Sequence, residues 1–203
     1  MKDPESFERP EARLSPDYAE KVEGIMSRIQ SGDRDTIAAV GDELRKVTVP
    51  KTSASGAGPD WIVVRVELLS GMGQVFEPPP GRDVLVSPQH TFRQLAETIN
   101  ASFGRWDLSH LYAFRLEDGR VIGTRFEDLD FLEAARTKLG GRWREGDTFR
   151  YEFDFGDSWE HRCSVLQTHV DPEDMYGMRP KGPVAIFGWG TLPDQYGRRS
   201  PTD

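Results

Sequence analysis

The chain has 203 residues, 36% of them hydrophobic and 30% charged, which is the composition of a globular protein with one good core rather than of a disordered one. Its net charge of −8 argues against a general nucleic-acid coat, which needs a basic surface, so nucleic-acid binding would require a local basic patch. Cys163 is the only cysteine, which excludes an intrachain disulfide and a cysteine-based zinc site and fits a reducing cytoplasm.

Residues 1–49 are predicted to form a helical hairpin. The polar start has no apolar signal region, and no stretch approaches the roughly 20 apolar residues that a membrane span needs. Ser15-Pro16 is typical of a helix start, and an apolar stripe follows at helical spacing as far as Ser31-Gly32. A second stripe runs from about Asp33 to Val47. Residues 50–60, PKTSASGAGPD, have the composition of a linker.

The residues after Trp61 change from helical to strand periodicity. WIVVRVELL and RDVLVS predict two strands, and TFRQLAETINASFG predicts a helix that starts with a capping box of Thr91 and Gln94. Two further strands flank Asp118-Gly119, a strong hairpin signal. A helical patch is expected around Leu129, Leu132 and Leu139.

We therefore predict an α+β domain over residues 61–170. Its antiparallel-rich sheet would carry a helix on one face in a β-grasp-like order, preceded by the helical hairpin. Residues 171–203 are predicted to be an irregular C-terminal segment.

The stretch YEFDFGDSWEH, residues 151–161, predicts a hairpin with an aromatic face and an acidic face. A three-residue loop keeps the aromatic face continuous, and it would pair Phe153 with His161 and Asp154 with Glu160. Glu152 would then face Arg162. Like charges placed opposite each other destabilise a sheet by several tenths of a kcal/mol, roughly the inverse of a favourable cross-strand pair. Three interpretations remain: a solvated face that Arg162 neutralises, a bound metal or basic ligand, or proton-transfer chemistry.

Signatures of known catalytic sites are missing from the sequence. None of the four histidines, at positions 90, 110, 161 and 169, has a partner at the i, i+4 spacing of metalloproteases, and there is no G-x-S-x-G, Walker or G-x-G-x-x-G motif. His161 and Cys163 fall on the predicted core face. We therefore expect His161 to be a core histidine and Cys163 not to be a nucleophile.

Two segments carry a resemblance to a known family. SFGRWDLSHLYAFRL and GDTFRYEFDFGDSWEH resemble the plasmid pRiA ORF-three-like family, also described as insertion-element passenger TnpR-like proteins. The positions that match include Ser109, His110, Asp154, Asp157 and Trp159. The resemblance implies an α+β fold and a link to plasmids and mobile elements, and it implies no established reaction, cofactor or substrate.

Two functions of different classes follow. The first is a non-enzymatic binding or accessory module that recognises a protein partner through the 151–161 hairpin. The second is a metal-dependent hydrolase or nuclease that uses Asp154, Asp157, Glu160 and a histidine, with a divalent metal held by those three carboxylates as its cofactor. The candidate ligand-binding residues are His110, Glu152, Asp154, Asp157, Trp159, Glu160, His161 and Arg198.

The closing stretch GWGTLPDQYGRR is rich in glycine but keeps two aromatic residues, Trp189 and Tyr196. We expect it to fold back beside the 154–161 hairpin, with Arg198 or Arg199 as the counter-charge for Asp154 and Glu160. The alternatives are a place in a partner's groove and a loosely packed tail.

Overall fold

The structure, a computed structural model, describes residues 60–124, 131–140 and 143–197. The predicted helical hairpin, all of the predicted linker except Asp60, and the residues Leu129, Arg198 and Arg199 lie outside the described residues. No helix in the described part of the chain is long and apolar enough to cross a membrane.

Nine strands in these ranges form one sheet. They are β1 (Trp61–Gly71), β2 (Gln74–Val75), β3 (Gly81–Val86), β4 (Tyr112–Leu116), β5 (Val121–Gly123), β6 (Leu132–Glu133), β7 (Thr148–Phe153), β8 (Trp159–Val170) and β9 (Val184–Trp189). Their spatial order is β6-β5-β4-β7-β8-β1-β3-β9, and β2 pairs with β1 beside this path. Every pair is antiparallel except β5 with β6, which is parallel.

The predicted fold class, an α+β domain of β-grasp-like order, is wrong for the described residues. The described residues form a mostly β domain, in which a mixed sheet of nine strands is accompanied by only two helices, α1 (Phe92–Ser102) and α2 (Pro172–Tyr176). The helical patch expected near Leu139 is one source of the error. The Leu139 N–H donates to the His90 carbonyl and the Ala134 N–H to the Gly123 carbonyl, so neighbouring segments rather than a helix satisfy this backbone.

Helix α1 begins as predicted and supplies one layer of the main core. The Thr91 side chain accepts from the Gln94 N–H, and the Gln94 side chain accepts from the Thr91 N–H, which completes the capping box. Leu95 and Ile99 face the sheet and are fully buried. They share a hydrophobic cluster with side chains from the central strands, including Val64, Val66, Phe114, Phe149, Tyr151, Phe153 and Trp159.

Strand β1 is buried on both faces, because a second and smaller cluster covers its other side. This cluster contains Trp61, Val63, Leu85 and Val170. Further along the same face the residues become charged: Arg65 forms a buried ion pair with Asp83 at 2.9 Å, and Glu67 pairs with Arg162 at 2.8 Å. Arg162 is therefore paired across to β1 instead of facing Glu152 as predicted. Burial on both faces explains the almost unbroken apolar run of this strand.

The C-terminal segment, expected to be irregular, contains helix α2 and strand β9 before it loses regular structure. Strand β9 pairs with β3 and ends at Trp189, just before Gly190, whose φ is +77°. The Trp189 indole N–H donates to the Pro79 carbonyl at 3.0 Å. Residues 184–189 therefore join the sheet edge, while 177–183 and 190–197 contain no helix or strand.

Candidate functional site

Strands β7 and β8 form the hairpin that the sequence singled out, with the predicted faces but a different register. Phe153 pairs with Trp159, Tyr151 with His161 and Glu152 with Glu160. The predicted pairing of Phe153 with His161 and of Asp154 with Glu160 was wrong by two residues. A shift of two keeps each side chain on its face, so Phe153 and His161 are both buried as expected, while the facing carboxylates become Glu152 and Glu160.

Asp154 explains the change of register, because it leaves the strand instead of continuing it. Its φ is +58°, in the left-handed region that aspartate tolerates better than most residues. Its carboxylate accepts from the N–H groups of Gly156 at 3.1 Å and Asp157 at 3.4 Å, and its carbonyl accepts from the Ser158 N–H. The loop therefore has five residues, 154–158, instead of three.

His110, from the loop before β4, contacts this turn. Its Nδ1 lies 3.2 Å from the Asp154 Oδ2, and its ring meets the edge of Phe153 with 5.9 Å between ring centres. Asp154 is only 6% exposed, whereas the His110 side chain is partly open to solvent. A buried carboxylate thus orients an accessible imidazole, and two residues that the sequence treated as separate candidates become one unit.

Asp107 and Tyr196 complete the cluster. The Tyr196 hydroxyl donates to the Asp107 Oδ2 at 2.6 Å and lies 3.0 Å from the His110 Nε2. The bond to Asp107 raises the pKa of Tyr196 to about 12, and the same bond is the main reason that the pKa of Asp107 falls below its usual range. At neutral pH the site therefore holds an ionised Asp107 next to a protonated phenol.

Sequence reasoning missed Asp107 and treated Tyr196 only as a tether. A local signal for Asp107 exists, because an aspartate two residues before a serine is typical of an Asx turn; the Ser109 N–H and hydroxyl both donate to its Oδ1. The contact with Tyr196, 89 residues away, has no local signal.

Gln195 fixes the C-terminal segment next to this loop. Its side chain is buried; the Oε1 accepts from the N–H groups of Trp106 and Asp107, and the Nε2 donates to the Asp107 carbonyl. The Arg105 side chain also points to this segment, with Nη1 3.5 Å from the Pro193 carbonyl. The segment thus folds back beside the hairpin as the sequence led us to expect, and the Gln195 amide holds it there.

Exposed apolar side chains surround the polar cluster. Trp106 is 52% and Leu108 56% exposed, and Met72, Phe155 and Tyr196 are exposed as well. Trp106 meets Tyr196 edge to face with 5.1 Å between ring centres. We refer to residues 106–110, 154–157 and 194–197 as the acidic-aromatic surface.

A buried layer supports this surface. The Arg105 guanidinium lies 3.6 Å from the centre of the Trp159 ring, and both side chains are almost fully buried. Burial lowers the pKa of Arg105 to about 10, which leaves it charged at neutral pH. Burial, with a contribution from the Arg105 charge, lowers the pKa of His161 to about 3, so His161 is a neutral core residue. Trp159 and His161, both predicted as ligand-binding candidates, therefore lie beneath the surface instead of on it.

The facing carboxylates Glu152 and Glu160 have arginine partners from neighbouring strands. Glu152 Oε2 lies 2.6 Å from the Arg115 Nη1, and Glu160 Oε2 lies 3.6 Å from the Arg150 Nη1. These cations offset the repulsion that the sequence analysis identified, so this face needs no metal for charge balance.

The carboxylates predicted as metal ligands do not converge. Glu160 lies on the arginine-paired face, while Asp154 sits in the turn beneath His110. In the described ranges no three His, Cys, Asp or Glu side chains are grouped so as to hold a metal ion. Asp154 and Asp107 approach different nitrogens of the His110 ring, so a single cation could not bind one ring nitrogen and both carboxylates in this arrangement.

Comparison with known proteins places these features in a family. The family model described as "Plasmid pRiA4b ORF-3-like protein" matches residues 62–193, which include segments 106–110 and 154–157 of the acidic-aromatic surface but not 194–197. The uncharacterized protein y4hQ of Sinorhizobium fredii (strain NBRC 101917 / NGR234) is 30% identical over 125 residues. That match covers 59% of this chain and 59% of the relative's length. A crystal structure of a protein of unknown function, MM3350 from Methanosarcina mazei Go1, is similar with a TM-score of 0.49 and 18% identity, over 65% of this chain and 70% of the other.

Proposed function

This chain belongs to the plasmid pRiA4b ORF-3-like family, and we propose on that premise that it is a non-enzymatic binding module whose acidic-aromatic surface recognises a protein partner. The observation that carries the proposal is the combination of a rigid polar cluster with large exposed aromatic and aliphatic side chains around it. Interfaces are enriched in such aromatic residues, and the cluster holds them in place without mobile parts.

The chemistry of the cluster supports binding over catalysis. Both nitrogens of His110 already face partners, the Asp154 carboxylate and the Tyr196 hydroxyl. The pKa of Tyr196 is raised, which makes its phenol a poorer nucleophile, and burial raises the pKa of the Cys163 thiol well above its usual value. Neither Tyr196 nor Cys163 is therefore an activated nucleophile.

The charge of the surface indicates a positively charged partner segment. Asp107 and Asp157 are its accessible carboxylates, and Trp106 and Tyr196 present ring faces and edges beside them. Carboxylates next to aromatic rings bind arginine and lysine side chains through charge and cation–π attraction. The net charge of −8 favours the approach of such a segment over long range.

Peptide titrations test this proposal. The probe is an acetylated, amidated heptapeptide of alternating glycine and arginine, and the control probe has glutamate in place of arginine. We expect the arginine peptide alone to bind, with backbone amide NMR shifts centred on Trp106, Asp157 and Tyr196 and an affinity that falls as salt is added.

Two substitutions and a matched control define the surface. Trp106→Ala and Asp157→Asn should each weaken binding roughly two- to fivefold, the range expected for an exposed cation–π contact or surface ion pair. Met178→Ala removes an exposed apolar side chain outside this surface and should change nothing. Equal binding of both peptides, or unchanged binding in the two surface variants, would refute the proposal.

One observation, the contact between Asp154 and His110, favours the alternative function of a metal-dependent hydrolase or nuclease. A thermal-shift series with Mg²⁺, Mn²⁺ and Zn²⁺, each with and without chelator, tests it, because a metal that binds only the folded protein raises its melting temperature. A rise that is absent in Asp154→Asn would favour this alternative over the binding module.

A further inference from the structure

A concave site lies between helix α1 and the strands β4, β5 and β7. It is a cavity of about 420 Å³, within the size range of small-molecule sites. Its apolar surface comes from Ala96, Leu108, Tyr112 and Phe153. Tyr112 and Phe153 are a cross-strand pair, so their rings form a fixed wall, and Ala96 leaves room on the facing turn of the helix.

Asn100 gives this cavity an amide NH2 group that is unpaired within the described residues. The residue is only 5% exposed and lines the cavity. Its Oδ1 accepts from the Tyr151 hydroxyl at 2.9 Å; turning the amide over would leave that buried hydroxyl without an acceptor, so this orientation is the favoured one. Within the described residues the Asn100 Nδ2 makes no hydrogen bond, and this atom is not closed off from solvent. The amide therefore offers a donor to whatever occupies the cavity.

The charged residues at the rim are already paired with each other. Arg93 lies 3.7 Å from Glu97 on the next turn of α1, and Glu133 lies 3.3 Å from Arg136. The rim thus presents balanced charges, which disfavours a strongly charged ligand and leaves Asn100 as the main polar determinant.

From these contacts we propose that the cavity binds a small uncharged molecule whose apolar, ring-sized body packs on Tyr112 and Phe153. Its carbonyl-type oxygen accepts a hydrogen bond from the Asn100 amide. The site is separate from the acidic-aromatic surface, although Leu108 and Phe153 border both.

A matched pair of probes isolates the hydrogen bond. Acetophenone and isopropylbenzene have nearly the same shape and neither ionises, and only the first carries a carbonyl oxygen. Titration of the full chain, followed by amide NMR shifts, should place both probes near Ala96, Asn100 and Tyr112. The ketone should bind roughly three- to tenfold more tightly, the effect of one net hydrogen bond.

Two variants test the same site independently. Asn100→Asp at pH 8 keeps an acceptor for Tyr151 but replaces the donor with a carboxylate oxygen, so the preference for the ketone should disappear. Ala96→Leu fills the cavity and should abolish binding of both probes, while Met178→Ala should change neither. The proposal is overturned if neither probe binds at this cavity or if both probes bind the parent equally. It is also overturned if either variant folds and still binds the probes as the parent does.

Discussion

Gly71, at the end of β1, allows the Trp159 ring to pack against the backbone, and Gly71→Ala should be strongly destabilising. A Cβ at this position would lie 2.0 Å from the Trp159 Cε3 and 2.5 Å from its Cζ3. The φ of Gly71 is outside the left-handed region, so alanine meets no backbone strain there and the cost is steric.

The indole cannot move aside without losing other contacts. Trp159 is almost fully buried, Phe76 stacks parallel to it with 6.3 Å between ring centres, and the Arg105 guanidinium lies against its ring. Carbon atoms normally approach to about 3.5 Å, so the new methyl group would be about 1.5 Å too close. Overpacking costs about 1–3 kcal/mol, and we place this case near the upper end because the clash is with a wedged ring. The corresponding loss of melting temperature is roughly 6–12 °C.

Urea denaturation followed by circular dichroism measures the effect. The midpoint should fall while the m-value stays the same, because the surface exposed on unfolding does not change. Gly182→Ala is the matched control, since a Cβ there meets open space and its φ is also outside the left-handed region; it should cost less than about 0.5 kcal/mol. A Gly71→Ala protein that unfolds at the same urea concentration as Gly182→Ala would refute the packing argument.

A double-mutant cycle identifies the clashing group. The Trp159 atoms that would clash belong to the benzene ring of the indole, and a phenylalanine side chain has no ring at that position. Gly71→Ala combined with Trp159→Phe should therefore cost less than the sum of the two single changes. An additive result would place the strain elsewhere.

Three further predictions concern pH and domain organisation. The ¹³Cζ signal of Tyr196 should titrate near pH 12 in the parent and closer to 10 in Asp107→Asn, because the raised pKa comes mainly from the bond to that carboxylate; an unchanged titration would contradict this cause. The pKa of His161 is about 3 in the folded protein and near 6.5 in the unfolded protein. Between pH 3 and pH 6.5 unfolding therefore takes up a proton, and the free energy of unfolding should fall as the pH drops through this range. His161→Phe should remove up to about 1.4 kcal/mol per pH unit of that slope, and a pH dependence equal to that of the parent would show that His161 is not the group. Deletion of residues 1–58 should leave a domain that still unfolds cooperatively, as the linker composition of 50–60 predicts; a truncated protein that precipitates or melts without a transition would show that the N-terminal residues belong to the core.

The local features of this protein could be predicted from its amino-acid sequence. Alternation along 149–153 and 159–165 identified which residues are buried, because side chains in a strand point to opposite faces with a period of two. The capping box at Thr91 and the turn at Gly119, whose φ is +85°, were readable for the same reason: each depends on residues within a few positions of one another.

The fold class, the strand register and the arrangement of the site depend on contacts between segments that are distant in the sequence. The register depends on Asp154 adopting a positive φ, a choice stabilised by hydrogen bonds within the loop and by His110 from a distant segment. The cluster of Asp107, His110 and Tyr196 joins residues up to 89 positions apart, and Gln195 links its two segments by accepting from the N–H groups of Trp106 and Asp107. Such contacts are set by how the sheet brings its loops together, and local periodicity carries no information about that arrangement.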